Sequence, residues 1–158
     1  MIALSDPSAA MQTTISAAMP QLDSCFIDSN VWIYALTIQD DPAKTHQAHH
    51  LIGTQTTIAV STQVINEVCV NLLKKAAFTE AELRDIADDF FVQYNVIEIG
   101  QDIIRNASFL HEQHRLSFWD GLIVASALAS GATVLYSEDM HDGSTIEGVT
   151  IVNPFRVR

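Results

Sequence analysis

Short apolar runs alternate with helix-patterned segments along this chain, and that alternation limits the fold more than any other feature. Residues 24–27, 57–60, 95–99 and 133–136 read as strands, with 149–152 as a fifth. After the first run, Ser29 and Asn30 open an apolar helix through Val31, Trp32, Ile33, Tyr34 and Leu36. Asp40-Asp41-Pro42 starts a second helix, and Ser61 caps a third that carries Val64, Ile65, Val68, Cys69 and Leu72. Leu83, Ile86, Ala87, Phe90, Phe91 and Tyr94 follow the i, i+3, i+4, i+7, i+8, i+11 spacing of one helical face. Two more helices are expected over 101–115 and 118–130, the last stopping at Gly131. Strands that alternate with helices form a parallel sheet, and short all-apolar strands suit burial on both sides. The expectation is an α/β fold: one domain with a central parallel sheet of four to five strands and helices on both faces. At 158 residues, one core is the natural count. Residues 1–23 are rich in Ser, Thr and Ala without apolar periodicity, and read as an N-terminal extension, poorly ordered or partly helical. The folded domain then spans 24–158.

Charge and cysteine usage narrow the functional classes. With 19 acids against 8 bases the net charge is −11, which argues against holding nucleic acid through a broad basic surface. A nuclease whose phosphate contacts run through metal ions stays open. The longest near-apolar run, 121–136, is broken by Ser126, Ser130 and Gly131, so no membrane span is expected. The start of the chain has neither a charged n-region nor a continuous apolar stretch, and Cys25 and Cys69 form no CxxC pair. Buried free thiols in a reducing, cytoplasmic setting are the expectation.

Helix-covered parallel sheets bind ligands beyond the carboxyl ends of their strands. Asp28 ends the first strand, and Asp139 lies three residues past the fourth. Asp120 sits in the first turn of the helix opened by Ser117, and Glu67 about two turns into the helix after the second strand. Each has a plainer reading as a helix cap, a loop residue or a solvated helix residue. Together in one pocket they would repel, raising some pKa values, and a divalent cation relieves that strain. Hard oxygen ligands suit Mg²⁺ or Mn²⁺.

The surrounding residues carry a resemblance. The stretch Cys25-Phe26-Ile27-Asp28-Ser29-Asn30-Val31-Trp32-Ile33-Tyr34 resembles the opening strand and helix of PIN-domain nucleases. Ser61-Thr62-Gln63-Val64-Ile65-Asn66-Glu67 resembles their second acidic block, and Leu116-Ser117-Phe118-Trp119-Asp120-Gly121 their third. Leu135-Tyr136-Ser137-Glu138-Asp139-Met140, with Asn153-Pro154-Phe155 beyond, is similar to the ending of VapC-type toxins. Four blocks in the family's order make the likeness specific over residues 24–156. It implies Asp28, Glu67, Asp120 and Asp139 as an acidic Mg²⁺ or Mn²⁺ site, with Asn30 and Ser137 in support. It also implies an endoribonuclease that cleaves RNA by metal-activated water, leaving 5′ phosphate and 3′ hydroxyl ends, with a small antitoxin as partner and a homodimeric state. Asp142 competes with Asp139 as the fourth acid, and Asp139 is favoured. The extension before Asp28 is longer than the family's usual start, which leaves Met11 or Met19 as alternative beginnings. Arg115, Lys74 and Lys75 are the candidate RNA contacts on an otherwise acidic chain.

Other chemical-looking features read more plainly. His111 and His114 are three apart, not the four of an HExxH motif. His46 and His50 have metal-clamp spacing but no further ligand nearby, and with His49 they read as a polar helix surface. Asp85, Asp88 and Asp89 read as a solvated face, and Trp32 and Trp119 as core, with an RNA groove as the alternative for Trp119. Two rival functions stay open. One is a PIN-fold RNA-binding or scaffold protein without turnover. The other is a different metal-dependent phosphoesterase of haloacid-dehalogenase type, which would want a second Asp where Asn30 stands.

Overall fold

In sequence order, the computed structural model describes residues 23–37, 41–75 and 78–157. All but the last residue of the expected extension, Asp23, lies outside them. Twelve elements follow in chain order: β1 (Ser24–Ile27), α1 (Ser29–Leu36), α2 (Pro42–Thr54), β2 (Thr57–Ser61), α3 (Thr62–Lys75), α4 (Glu80–Gln93), β3 (Asn95–Ile97), α5 (Gln101–His114), α6 (Phe118–Ser130), β4 (Val134–Tyr136), β5 (Thr145–Ile146) and β6 (Val149–Val152).

Among the described residues the sheet has six strands in the order β3–β2–β1–β4–β6–β5. Every pairing is parallel except β5 with β6. Cys25, Phe26 and Ile27 of β1 are all buried in succession. Successive side chains leave a strand on opposite sides, so β1 is covered on both faces. The α/β reading holds, and the strand count rises to six because β5 went unread. Its signal was a two-residue hairpin: Glu147 and Gly148 link β5 to β6 with φ of 49° and 92°. Two positive φ values are what a type I′ turn requires, and its twist matches the flanking strands.

Boundaries differ where local bonds compete. The third strand stops at Ile97 because the Ile99 N–H donates to Thr62 Oγ1 at 3.2 Å, outside the ladder. Helix α5 stops at His114 because Arg115 adopts the left-handed conformation. Phe91, expected on the apolar stripe of α4, is 53% exposed; α4 buries Leu83 and Phe90.

What positions the site is the direction of α6. It leads through Gly131 into β4, which runs parallel to β1, so it must cross back along the sheet. Its N-terminus, with Asp120, therefore lies toward the strands' carboxyl ends. Gly121 fixes its depth: a Cβ there would stand 2.8 Å from the carbonyl oxygen of Ala107 in α5.

Candidate functional site

Asp28 is the hinge between β1 and α1. Its N–H donates to the Tyr136 carbonyl at 3.0 Å, tying it to the end of β4. Its Oδ1 accepts the Ser29 N–H at 2.7 Å, which caps α1. Its Oδ2 accepts the hydroxyl of Ser137, a fully buried residue just past β4, at 2.8 Å. Asn30, in the first turn of α1, extends the cluster: Nδ2 donates to Asp139 Oδ2 at 3.2 Å, and Oδ1 accepts the Glu138 N–H at 3.3 Å. From the other side α3 leans across. Its Glu67 accepts the Ser29 hydroxyl at 2.6 Å through Oε2 and the Gln63 amide at 2.9 Å through Oε1.

Three of the four expected acids are thus brought to one corner by Ser29, Asn30 and Ser137. Burial pushes the Asp28 carboxyl up to about 6; the Ser137 hydroxyl and the Ser29 N–H pull it down, while the charges of Glu67 and Asp139 push it further up. Donors stand between the carboxylates. Among the described residues, no three Asp, Glu, His or Cys side chains stand close enough together to hold an ion. The oxygen-only donor set suits a hard cation in kind, because Mg²⁺ takes one or two carboxylates and keeps several waters. The buried, like-charged surroundings of Asp28 favour the same class of ligand.

Asp120 stands apart from this hydrogen-bonded cluster. It is half-buried in the first turn of α6, where its N–H donates at 3.0 Å to the hydroxyl of Ser117, the residue that caps the helix. Asp142 is engaged elsewhere: it accepts the Asn153 N–H at 2.8 Å and Arg156 Nη1 at 3.2 Å, pinning the chain after β6. That leaves Asp139, not Asp142, against Asn30. Lys75 borders the same cleft as Asn30, Glu67 and Asp139, with exposed Lys74 beside it in the last turn of α3. Arg115 is exposed on the α5–α6 link at φ 55°.

Three participants were missed. Ser29 bridges two acids, and its place between Asp28 and Asn30 was the available signal. Gln63 orients Glu67 from one helical turn before it, an i, i+4 spacing visible in the sequence. Lys44 pairs with Glu138, donates to Tyr34 Oη at 3.1 Å, and lies over the Tyr34 and Phe155 rings. It stands 94 positions from Glu138, and no local pattern announced it. Trp32 is core as expected, stacked edge-on to Phe90 with its Nε1 donating to Ile27 O at 3.2 Å. Trp119 is not core: it is 67% exposed.

The PIN domain family matches residues 25–141, most of the chain, and spans Asp28, Glu67, Asp120 and Asp139 alike. The chain belongs to the PIN domain family. Solved structures share the PIN fold at low identity. A toxin–antitoxin complex from Klebsiella pneumoniae has a TM-score of 0.65 at 21% identity, over 84% of this chain and 99% of the other. VapC20 of Mycobacterium tuberculosis, a sarcin-ricin loop cleaving toxin, gives 0.59 at 19%, over 70% and 86%. VapBC2 of Rickettsia felis, bound to a promoter DNA fragment, gives 0.55 at 20%, over 81% and 96%. No curated protein matches the chain in sequence. Among the described residues no helix is long and apolar enough to cross a membrane.

Proposed function

We propose that this PIN domain is a metal-dependent endoribonuclease and the toxin of a toxin–antitoxin pair. The observation that carries this reading is the meeting of Asp28, Glu67 and Asp139 around Ser29, Asn30 and Ser137, beyond the carboxyl ends of β1 and β4, where α/β folds bind ligands. Asp28, Glu67 and Asp139 would hold Mg²⁺ or Mn²⁺, with Asp120 as the fourth acid. The bound ion would acidify water and offset charge at the scissile phosphate. The chain's own residues do the positioning: Ser137 and Ser29 aim the two oxygens of Asp28, Gln63 sets the rotation of Glu67, and Asn30 holds Asp139. RNA is the substrate, approached through Lys75, Lys74 and Arg115. The toxin–antitoxin complexes among its structural relatives support a small antitoxin partner for this chain, and a homodimer is part of the same proposal.

The test is incubation of the purified protein with mixed RNA. Cleavage in Mg²⁺ or Mn²⁺ that stops on adding EDTA, and is absent in Asp28→Asn, is the expected result; EDTA-resistant cleavage, or none at all, counts against it. The second reading is an RNA-binding PIN domain without turnover. It is favoured by one observation, the donors that hold the acids apart and leave no three of them gathered for an ion. Binding of RNA without cleavage under every metal condition would select it.

A further inference from the structure

A groove of about 600 Å³ opens beside the acidic corner, between the start of α3 and the first turn of α6. It shares Glu67 and Asn71 with the cleft that holds Asn30 and Asp139, so the two adjoin. Trp119, the residue before Asp120, forms one wall with its ring exposed, and Val70, Leu122 and Ile99 line the apolar part. The opposite wall is amide-rich, with Gln63, Asn66 and Asn71 on α3. Gln63 is 8% exposed, and its Oε1 has no hydrogen-bond partner among the described residues. Its Nε2 already donates to Glu67, so the amide cannot turn over without losing that bond. That oxygen is fully enclosed, so Gln63 serves to hold Glu67, and a ligand in the groove meets the amides of Asn66 and Asn71 instead.

We infer that this groove binds one unpaired nucleobase of the RNA substrate, stacked on Trp119 and read at its edge by the α3 amides, next to the bond that is cut. The inference rests on the ribonuclease reading for the identity of the strand. Single-stranded RNA is held by aromatic stacking and edge hydrogen bonds, and the groove offers both. An apolar side chain from a protein partner would fill the Val70–Leu122 side but bring nothing polar to the Asn66 amide on the opposite wall. Stacking needs no net positive charge, which suits a chain at −11 with few cations to spare for phosphate contacts.

The test follows two readouts. Binding of fluorescein-labelled single-stranded RNA hexamers is measured by anisotropy and tryptophan emission, with Ca²⁺ as the divalent ion; cleavage of the same hexamers is followed with Mg²⁺. The expected result is quenching of emission on binding, a Kd weakened about tenfold or more in Trp119→Ala, and near-native affinity in Trp119→Phe. Replacing the stacked position by an abasic site should weaken binding to the parent protein and leave the affinity of Trp119→Ala unchanged. Equal affinities for the parent and Trp119→Ala, or a Phe variant as weak as the Ala variant, overturn the base pocket even where cleavage proceeds. Hexamers held through Trp119 but never cut uphold the pocket and sink the nuclease reading. No binding and no cleavage by the parent protein overturns both.

Discussion

At Asp28 two effects oppose each other. Removal from water and the charges of Glu67 and Asp139 favour the protonated acid, while Ser137 and Ser29 favour the carboxylate; burial wins, and the pKa rises from 3.8 to about 6. A folded pKa above the unfolded one means the contribution to stability is full below pH 4 and is lost as pH rises through about 6. In EDTA, therefore, Asp28→Asn should gain stability over the parent between pH 5 and pH 8, by about 1–2 kcal/mol. Melting temperatures at both pH values check this, and a gap that does not change with pH would contradict it. Ser137→Ala removes a donor that lowers the Asp28 pKa, so the acidic limb of the pH–rate profile should move to higher pH; an unmoved limb would show that Ser137 does not tune the acid. Asp28 and Asp139 were legible as acids after strands. Ser29, adjacent to Asp28, and Gln63, one turn before Glu67, left only a local trace, whereas Ser137, 109 positions from Asp28, was named through the family resemblance. Lys44 was not legible, because a pairing across 94 positions exists only once α2 packs beside the end of β4.

Among the elements, α6 carries the most consequence. Its N-cap Ser117 sets where Asp120 and Trp119 project, and Gly121 lets it lie against α5. Gly121→Val should cost about 2 kcal/mol, because a side chain meeting a backbone carbonyl in a packed helix pair outweighs the few tenths gained in helix propensity. A lowered Tm together with reduced RNA cleavage is expected; an unchanged Tm would mean the helices separate freely. The apolar face of this helix was plain in the sequence, whereas its exposed end was not. Phe118 and Trp119 continue the apolar run, and only the tertiary placement leaves Trp119 in solvent at a groove mouth. The β5–β6 hairpin was missed for a different reason: β5 is two residues long, too short for any alternation to register.

For the whole molecule, the acidic balance sets how RNA can approach. A net charge of −11 repels the phosphate backbone at long range, and few cations stand near the site. Raising NaCl from about 10 to about 100 mM shortens the screening length and weakens that repulsion. The KM for a short RNA at saturating Mg²⁺ should therefore fall or stay level over this range. A steep rise would reveal several phosphate–cation contacts of the kind basic RNA-binding proteins make. The parallel sheet and the order of its acids were readable because each acid follows a recognisable strand or cap. At this scale the central claim is that Asp120 joins the other three acids when a cation binds. Equilibrium binding of Mn²⁺, followed by electron paramagnetic resonance on the parent protein and on Asp28→Asn and Asp120→Asn, tests this most directly. Saturable binding by the parent, weakened at least tenfold by each substitution, is the predicted result; no binding by the parent, or binding indifferent to both substitutions, would contradict the account.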